Sequence, residues 1–576
     1  MTKLPFNQHI ADLVSLLKFH GIRNVVICPG SRNAPLIQVF YRDRSFNCHS
    51  IVDERSAAYL AMGMARESGK AVVVLTTSGT AALNLAPAVA ESFNLHIPLI
   101  VLTADRPAEF PPQFTNQRIT QDGIFHNHTK ASGSFSLKED SLQALRLTIL
   151  DTHRLLQLAL HDIPGPLHLN IPLEEPLYEQ IADGISQEQL RELLHSVPYP
   201  ESTQPAGDAS KISRAADQEA SKNEAFPSGP ENKEIIEQIK RRKKILILAG
   251  LHAYNTEEID LLKQLLEKTN VTILSENLAN LPEEIALTSP ELILAAADDD
   301  DLELLRPELI ILFGGQVVSK QARLYVQGLE QIPVKVYEKF PAEMLKEAIH
   351  ATPSRENLKN IFLTGWKKKE EIVLQKAKSY LKEAEYSMLG AVHAVLDKIP
   401  GNATVHLGNS SVVRLAQLCQ TRQDLVYTSN RGTSGIDGTL SAAAGAAMIS
   451  TDLHIAIVGD LSFVYDSNAL WNRSFPGNLK IVVMNDKGGG IFRLLDGPDR
   501  MPFFEDFSIA SHPVSIKSLA EAFQINYYIS KNYKELRSAL DHVFDDHENP
   551  SLLEVDLSES ENSRIFKQFY KQIQSQ

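Results

Sequence analysis

Two acidic side chains, Asp460 and Asp486, each stand at the end of an apolar, strand-like run in the C-terminal part of the sequence. If the two runs pair, both carboxylates face one crevice, close to the glycine triplet 488–490, where backbone can approach a ligand. Carboxylate oxygens suit Mg²⁺, which usually shares its octahedral shell with phosphate. An ordinary Rossmann-like unit, in which the strand-end Asp only caps the next helix, explains the same residues equally well.

A third carboxylate, Glu54, follows a strand-like segment near the N-terminus. A helical stretch rich in small residues comes next at 55–67, followed by a strand and the small-residue turn 76–80. Apolar neighbours should favour the neutral form of Glu54 and raise its pKa, which suits proton exchange with a bound base. The alternative is an exposed glutamate at a helix N-terminus, stabilised by the helix dipole.

Strands that alternate with helices would bring these residues to the edges of parallel sheets. The apolar runs predict strands at 25–28, 71–75, 98–102, 244–249, 271–274, 309–313, 453–458 and 479–484. The last two should form a βαβ unit, with residues 466–473 as its crossover helix. This alternation predicts an α/β fold with doubly wound parallel sheets.

Composition narrows the class of protein. A chain of 576 residues with 43% hydrophobic residues suggests several domains with sizeable cores. A net charge of −14 and the lack of a basic stripe argue against nucleic acid as a partner. Three scattered cysteines fit a reducing compartment. The N-terminus has no apolar signal core and no run is long enough to span a bilayer, so we expect a cytoplasmic protein without membrane insertion.

Three polar segments need separate interpretations. Residues 201–233 are rich in Ser, Ala, Glu, Lys and Pro, which predicts a flexible linker or surface loop. The acidic run 298–301 lacks the glycine and terminal glutamate of a Ca²⁺ loop, so a solvated helix start is favoured. His126 and His128 could suggest a metal nuclease, but without a supporting cluster they are better interpreted as surface residues.

Considered together, Glu54 with its small-residue helix, the turn at 77–81 and the two strand-end acids resemble the pyrimidine and diphosphate modules of thiamine diphosphate enzymes. Finer matches resemble the 2-succinyl-5-enolpyruvyl-6-hydroxy-3-cyclohexene-1-carboxylate (SEPHCHC) synthase family of menaquinone biosynthesis; they lie at 28–33, 103–107, 116–117, 408–414 and 429–438. The resemblance covers nearly the whole chain. It implies three doubly wound parallel-sheet domains: a pyrimidine-binding domain at 1–182, a Rossmann-like middle domain at 183–360 containing the flexible segment, and a diphosphate-binding domain at 361–576.

The resemblance implies a C–C bond-forming transferase that uses thiamine diphosphate and Mg²⁺, with Mn²⁺ as an alternative metal. The reaction would be decarboxylation of 2-oxoglutarate and 1,4-addition of the succinyl-semialdehyde carbanion to isochorismate, giving SEPHCHC and CO₂. Relatives of this kind imply a homodimer or homotetramer with active sites between subunits. Two rival interpretations stay open: another thiamine diphosphate-dependent 2-oxo acid decarboxylase or acetolactate-type synthase, and a non-catalytic binding protein that keeps the fold.

The resemblance also implies a role for each matching residue. Glu54 would be catalytic, protonating the pyrimidine ring of the cofactor, and Ile436 would wedge beneath the bent cofactor. Metal ligands would be Asp460, Asp486 and the carbonyl of Gly488. Cofactor-binding residues would be Glu54, Thr77, Asn409, Ser410, Ile436, Gly459, Asp460, Leu461, Ser462, Asp486, Gly489 and Ile491. Substrate-binding residues would be Ser31, Arg32, Arg106, Asn116, Gln117, Lys320, Ser410, Arg414, Arg431, Phe492 and Leu495.

The chain departs from the general pattern at a few of these positions. Leu461 stands where most such enzymes have glycine, a feature that the synthase family shares, and Asp486 stands where asparagine is usual. The Lys-Arg pair of the middle domain is Lys320-Gln321 here, so Arg323 is the candidate for the missing cation. An Asp oxygen at 486 still suits Mg²⁺ and adds negative charge to the site.

Overall fold

The computed structural model describes residues 7–107, 116–136, 141–195, 230–242, 244–337, 339–352, 360–473, 475–494, 497, 500–546 and 548–575. These residues form two compact units. Unit 1 comprises the described residues of Met1–Asn223, Leu440–Thr451 and Asp466–Pro476, and unit 2 those of Glu224–Thr439, Asp452–Tyr465 and Gly477–Gln576. Two short segments from the C-terminal third of the chain therefore belong to the unit built by its N-terminal third.

Unit 1 is built on a six-stranded parallel sheet with the order β2-β1-β3-β4-β6-β5. Its strands are β1 (Asn24–Ile27), β2 (Asn47–Ser50), β3 (Val72–Thr76), β4 (Leu99–Asp105), β5 (Ala131–Ser134) and β6 (Leu167–Pro172). Its helices from the N-terminal part of the chain are α1 (Gln8–Phe19), α2 (Ala34–Arg42), α3 (Glu54–Ser68), α4 (Thr80–Asn84), α5 (Ala86–Asn94), α6 (Leu142–Leu160) and α7 (Gln187–His195). The central strands are buried along their whole length, as expected where helices cover both faces of a parallel sheet.

The first part of unit 2 contains a four-stranded parallel sheet with the order β10-β9-β7-β8. Its strands are β7 (Ile245–Ala249), β8 (Val271–Ser275), β9 (Leu309–Phe313) and β10 (Val334–Tyr337). The helices of this part are α8 (Pro230–Arg241), α9 (Thr256–Lys268), α10 (Pro290–Ala295), α11 (Asp299–Leu304), α12 (Lys320–Gly328) and α13 (Ala342–Ala351).

The C-terminal part of the chain forms a second six-stranded parallel sheet, with the order β12-β11-β13-β14-β16-β15. Its strands are β11 (Thr404–Leu407), β12 (Val426–Thr428), β13 (His454–Gly459), β14 (Leu479–Asn485), β15 (Asn526–Ser530) and β16 (Ser551–Asp556). The helices of this stretch are α14 (Ile361–Glu383), α15 (Met388–Lys398), α16 (Ser411–Ala416), α17 (Thr439–Ile449), α18 (Asp460–Tyr465), α19 (Ile516–Ala522), α20 (Tyr533–Asp545) and α21 (Asn562–Gln574). The spatial order of its strands repeats that of the unit 1 sheet.

The predicted fold class is confirmed, because three parallel α/β sheets are present. Each predicted strand begins and ends within one residue of its observed bounds, except that β4 runs three residues beyond its predicted end, to Asp105. The predicted crossover helix at 466–473 is wrong. The helix that follows β13 is α18, which begins at Asp460 itself, and only a 3₁₀ turn at Ser467–Ala469 lies in the predicted range.

The three polar segments have different outcomes. Of the predicted linker 201–233, residues 201–229 lie outside the described residues, whereas the last four begin α8. The acidic run is a helix start, as predicted: Asp298 caps α11, and its side chain accepts the backbone N–H of Asp301. His126 and His128 lie in an exposed 3₁₀ turn.

Candidate cofactor and substrate site

Asp460 ties together the ends of two neighbouring strands in unit 2. It is the first residue of α18, directly after β13, and it is 1% exposed. One carboxylate oxygen accepts the N–H of Leu461 at 2.7 Å, and the other accepts the N–H of Gly488, beyond β14, at 2.8 Å. Nε2 of His512 lies 3.1 Å from that second oxygen. These contacts are compatible with both interpretations of Asp460, as a residue at a helix start and as a metal ligand.

Asp486 is the second acid at this edge. Burial, reinforced by repulsion from Asp460, raises the pKa of Asp486 to about 7. Burial also raises the pKa of Asp460. Asp460 is buried and Asp486 half-buried, and a divalent cation would neutralise the repulsion between them, so these residues fit the metal that the sequence implies. Over the part of the chain that the structure describes, no group of three or more His, Cys, Asp and Glu side chains could hold a metal, so a cation here would need backbone and ligand oxygens as well.

The sequence places Asn485 and Asp486 together at a strand end, but the structure separates their functions. Asn485 is completely buried, and its amide donates to Oε1 of Glu554 at 2.6 Å. Its side-chain oxygen accepts the N–H of Lys487 at 3.1 Å. Asn485 therefore shapes the turn after β14, and Asp486 is the residue electrostatically coupled to Asp460.

The glycine triplet is required by close backbone packing. A Cβ at Gly488, which has φ +154°, would lie 2.6 Å from the carbonyl oxygen of Ile509. A Cβ at Gly490 would lie 1.7 Å from a carboxylate oxygen of Asp486. Gly489 donates its N–H to Ile509 at 2.5 Å. These contacts exclude side chains from the loop next to the acid pair, as a site for a closely approaching ligand requires.

The residues around this end of the sheet differ in their solvent exposure. Space lies open above Gly459, where a Cβ would meet no atom within 4 Å. Ile491 is half-buried and Phe492 is 39% exposed, both in the 3₁₀ helix Gly490–Leu494. Leu495, predicted to join the apolar wall with Phe492, lies outside the described residues.

Asn409 organises the loop that follows β12. Its amide donates to the carbonyls of Asn430 and Gly435, both at 2.6 Å, and its oxygen accepts Nη1 of Arg431 at 3.0 Å. The side chain that was predicted to bind cofactor is therefore engaged within the protein. Ser410 adopts φ +73°, an uncommon conformation for a residue with a side chain, and such strain is typical of functional turns.

Ile436 and Ser462 are linked directly. The Ser462 hydroxyl donates to the carbonyl oxygen of Ile436 at 2.6 Å, which holds the Ile436 backbone next to α18. The Ile436 side chain is 37% exposed. An exposed apolar side chain held on a fixed backbone is the arrangement that the predicted wedge under a cofactor requires.

Three predicted substrate cations lie in unit 2. Arg431 is 5% exposed, whereas Arg414 and Lys320 are exposed. Partial desolvation of the guanidinium group and the nearby charge of Arg323 lower the pKa of Arg414, so these two guanidinium groups are neighbours. Nη1 of Arg414 donates to the Ser410 carbonyl at 2.6 Å. Neighbouring cations of this kind suit a carboxylate ligand.

Sequence reasoning missed a pair of buried glutamates that hold the start of α12, where Lys320 lies. Glu276 accepts the N–H groups of Val318 and Ser319 at 2.8 and 2.5 Å. Glu291 accepts the Ser319 hydroxyl at 2.6 Å and the Gln321 N–H at 3.0 Å. A signal was present, because Glu276 directly follows β8, as Asp460 directly follows β13.

Burial raises the pKa of Glu276 to about 7, and the charge of Arg431 acts in the opposite direction. Gln316 connects the same loop to the Arg431 loop, donating to the Gly432 carbonyl at 3.1 Å and accepting the Ser434 hydroxyl at 3.3 Å. The four-stranded sheet thus supports the loop that carries Arg431 and Ile436.

In unit 1, Glu54 begins α3 after the edge strand β2. Its side chain is half-buried, and Nδ2 of Asn84 lies 3.5 Å from Oε2. Burial raises the pKa of the Cys28 thiol at the end of β1, and the charges of Glu54 and Asp53 add to this effect. Glu54 therefore lies near the carboxyl end of β1 as well, at the edge of the sheet where ligands of open α/β sheets bind.

The turns after β1 and β3 are in contact at this edge. A Cβ at Gly30 would lie 2.4 Å from the Cβ of Thr77, and one at Gly79 would lie 2.8 Å from Cγ of Gln117. Thr77 is buried, whereas Ser31, Asn116 and Gln117 are exposed; these are predicted site residues of this unit. The structure thus brings the predicted neutral donors to one side of the unit 1 sheet.

Arg32 and Arg106 supply positive charge to the same unit. Arg32 is 5% exposed and donates to the Leu173 carbonyl at 3.0 Å and to Oε1 of Glu175 at 3.2 Å. Burial and the charge of Arg32 lower the pKa of Arg106, and Glu175 partly offsets this. Arg118 adds a further positive charge. Cations outnumber the acids at this point, which favours an anionic ligand.

Models of known families match both ends of the chain. Residues 9–126 match the thiamine pyrophosphate enzyme, N-terminal TPP binding domain, and residues 407–555 match the corresponding C-terminal TPP binding domain. These matches cover Glu54 and the acid pair Asp460 and Asp486. The cofactor prediction therefore has support independent of the geometry.

Relatives resemble the chain over nearly its whole length. A 2-succinyl-5-enolpyruvyl-6-hydroxy-3-cyclohexene-1-carboxylate synthase of Desulfotalea psychrophila is 38% identical over 90% of this chain and 93% of its own. Proteins with the same name from Flavobacterium johnsoniae and Bacteroides thetaiotaomicron are each 32% identical, over 99% and 98% of this chain and 99% of their own. The chain belongs to the SEPHCHC synthase family of thiamine diphosphate enzymes.

Proposed function

We propose that the protein joins 2-oxoglutarate to isochorismate with loss of CO₂, forming SEPHCHC in menaquinone biosynthesis. The observation that carries this proposal is that one chain contains both kinds of residue at the carboxyl ends of its strands. Glu54 follows a strand of one six-stranded sheet, and Asp460 and Asp486 follow strands of the other. Proton transfer and diphosphate anchoring need these residue types. The names of the relatives support the choice of substrates.

Thiamine diphosphate, when bound, supplies a nucleophilic carbon and accepts the electrons released on decarboxylation. Asp460, Asp486 and the Gly488 carbonyl would hold Mg²⁺, or Mn²⁺ in its place, against the cofactor phosphates. Gly459, Leu461, Ser462, Gly489 and Ile491 would line the diphosphate pocket. Ile436 would support the cofactor from below, and Glu54 would exchange a proton with the nitrogen of its pyrimidine ring.

The substrates are both carboxylates, so their binding sites need cations. Arg32 and Arg106 in unit 1, and Lys320, Arg414 and Arg431 in unit 2, would bind these carboxylates. Ser31, Asn116 and Gln117 would donate hydrogen bonds to isochorismate. Phe492 would exclude water from the reacting carbon. Arg323, the neighbour of Arg414, would supply the cation that Gln321 does not provide.

We also propose that the working enzyme is a cytoplasmic homo-oligomer, a homodimer or a tetramer of two dimers, in which Glu54 of one subunit acts on cofactor held by Asp460 of another. The structure describes no helix that combines the length and the apolar character needed to cross a membrane. Mixing Glu54→Gln and Asp460→Ala subunits tests the shared site. Hybrid oligomers should regain activity at one site of two, whereas no regain would contradict it.

Product analysis tests the reaction itself. The protein is supplied with 2-oxoglutarate, isochorismate, thiamine diphosphate and Mg²⁺, and products are followed by mass spectrometry together with CO₂ release. SEPHCHC formation that requires all four components supports the proposal. Rapid CO₂ release without isochorismate would indicate a simple decarboxylase instead, and acetolactate from pyruvate would indicate the acetolactate-type alternative.

A further inference from the structure

The first turn of α3, which begins with Glu54, is held by more than its own helix cap. Asp53 is the capping residue, and Oδ1 of its side chain accepts the N–H of Ser56 at 2.7 Å. Its other oxygen, Oδ2, accepts Nδ2 of Asn468 at 2.7 Å. Asn468 lies 415 residues further along the chain, in the segment of unit 1 that connects β13 with β14. One carboxylate therefore joins the Glu54 turn to a distant part of the sequence.

A second connection starts from Ser56. Its hydroxyl lies 2.9 Å from that of Ser441, in the first turn of α17. Ser441 donates its own hydroxyl to Oδ1 of Asp466 at 2.7 Å and its N–H to Oδ2 at 2.8 Å. Because the Ser441 proton points to Asp466, Ser56 donates to Ser441. Ser56, Ser441 and Asp466 are all completely buried, so each of these hydrogen bonds is costly to lose.

The helices themselves pack backbone to backbone. A Cβ at Gly63 would lie 2.0 Å from the carbonyl oxygen of Ala442, and one at Gly445 would lie 2.0 Å from that of Leu60. The two glycines thus allow α3 and α17 to cross without intervening side chains. Packing this close fixes the axis of α3, and the hydrogen bonds fix its first turn.

The charge of Arg55 supports the arrangement, because it favours the ionised form of Asp466 against the effect of burial. Arg55 is the residue after Glu54, so the turn combines hydrogen bonds at positions 53 and 56 with the electrostatic attraction between Arg55 and Asp466. Within the part of the chain that the structure describes, the Glu54 carboxylate accepts one long hydrogen bond, from Nδ2 of Asn84 at 3.5 Å. The turn is therefore anchored on both sides of Glu54, whereas the Glu54 carboxylate itself is held weakly by the described residues.

We propose that Asn468 and Asp466, from the connection between β13 and β14, are positioning residues for Glu54, acting through Asp53 and through Ser441 and Ser56. The proposal rests on the proposed function, in which Glu54 exchanges a proton with the bound cofactor. Proton exchange depends steeply on geometry, and a displacement of about 1 Å can cost about a hundredfold in rate. Loss of these contacts should therefore slow the proton step more than it weakens cofactor binding.

The test compares Asn468→Ala with Asn472→Ala. Asn472 lies in the same segment, but among the described residues its amide donates to the local carbonyl of Ala469, at 2.8 Å, so it is a matched control. Two rates are measured: deuterium exchange at the reactive carbon of bound thiamine diphosphate without substrates, and backbone amide exchange of α3 in the cofactor-free protein. We expect Asn468→Ala to slow the first by about tenfold and to speed the second, with cofactor affinity and Tm matching those of Asn472→Ala.

A charge-swapped pair provides the rescue. In Asp53→Asn with Asn468→Asp, position 53 can still cap α3, because Asn and Asp are equally good N-caps, and it can donate to the new carboxylate. Cofactor proton exchange should return to within about threefold of the unmodified protein. Equal rates of deuterium exchange at the reactive cofactor carbon in Asn468→Ala and Asn472→Ala would overturn the proposal. Unchanged exchange in Glu54→Gln would instead contradict the proposed function, so the two failures are distinguishable.

Discussion

The two six-stranded sheets share one strand order and differ in the chemistry at their edges. In unit 1 the residues after the strands are a carboxylate beside small turns and arginines, whereas in unit 2 they are the buried Asp460 and the half-buried Asp486 beside a glycine loop. The topology sets the place, because ligands of open parallel sheets lie beyond the carboxyl ends of strands. Under the proposed function, the few residues that follow the strands differ in their roles: Glu54 in unit 1 would exchange a proton, whereas Asp460 and Asp486 in unit 2 would hold metal and phosphate.

The sharpest way to test this division is Glu54→Gln. Gln retains the shape of Glu54 but cannot exchange the proton, and general acid–base catalysis contributes about 10²- to 10⁴-fold. We expect kcat to fall by this factor while thiamine diphosphate and Mg²⁺ still bind, as isothermal titration would measure. Gln substituted for Glu67, at the far end of the same helix, serves as the control. Near-normal deuterium exchange at the reactive cofactor carbon would remove Glu54 from its proposed role.

Asp460→Ala should instead weaken cofactor binding more than it lowers kcat. Loss of a residue that hydrogen-bonds to a metal ligand costs about 10- to 100-fold in metal affinity. Loss of a ligand itself should therefore weaken Mg²⁺-dependent cofactor binding by at least about a hundredfold. Activity at saturating cofactor should recover in part. Asp545→Ala, at the exposed end of α20, is the control. If Asp460→Ala bound the cofactor normally, the two sheet edges would not divide the work as proposed.

Arg414→Ala tests the cations of unit 2. A hydrogen bond between charged groups contributes about 1.5 to 3 kcal/mol, so KM for 2-oxoglutarate should rise by about tenfold or more, with cofactor affinity unchanged. Arg323→Ala should give a smaller rise in the same direction, because Arg323 is the neighbouring cation. Steady-state kinetics of both variants, compared with the exposed Arg537→Ala on α20, would show whether either guanidinium is needed.

The smallest effect concerns stability in unit 2. Oε1 of Glu370 accepts the N–H groups of Thr288 and Ser289 at 2.9 and 3.1 Å, and burial raises its pKa to about 7. Because the folded-state pKa exceeds the unfolded value, the contribution of Glu370 to stability falls as pH rises from 4.5 through 7. Gln at position 370 keeps the accepting oxygen without charge. We expect Glu370→Gln to gain about 1 to 2 kcal/mol relative to wild type between pH 5 and pH 8.

Urea denaturation at the two pH values measures this difference. Glu371→Gln changes an exposed neighbour on α14 and should leave the pH dependence as it is in the wild type. Parallel pH profiles for wild type and Glu370→Gln would mean that the carboxyl at position 370 does not titrate on unfolding.

The strands could be predicted because each parallel strand is a continuous apolar run, and the strand-end acids could be predicted because they interrupt such runs. The crossover helix could not, since α18 begins on Asp460 itself and the predicted range packs instead with unit 1. The engagement of Asn409 with the Arg431 loop was also out of reach, because such contacts join residues far apart in the chain. Glu276 carried a readable signal, but a lone glutamate after a strand has no partner in the sequence to point to its role.

The participation of Leu440–Thr451 and Asp466–Pro476 in unit 1 limits how the gene can be cut. A fragment that stops before residue 440 would leave Gly63 and its helix without the partner that they pack against. Split versions and domain exchanges with related synthases should therefore move these two stretches together with the N-terminal region. Breakpoints chosen from sequence order alone would separate these two stretches from the N-terminal residues that they pack against.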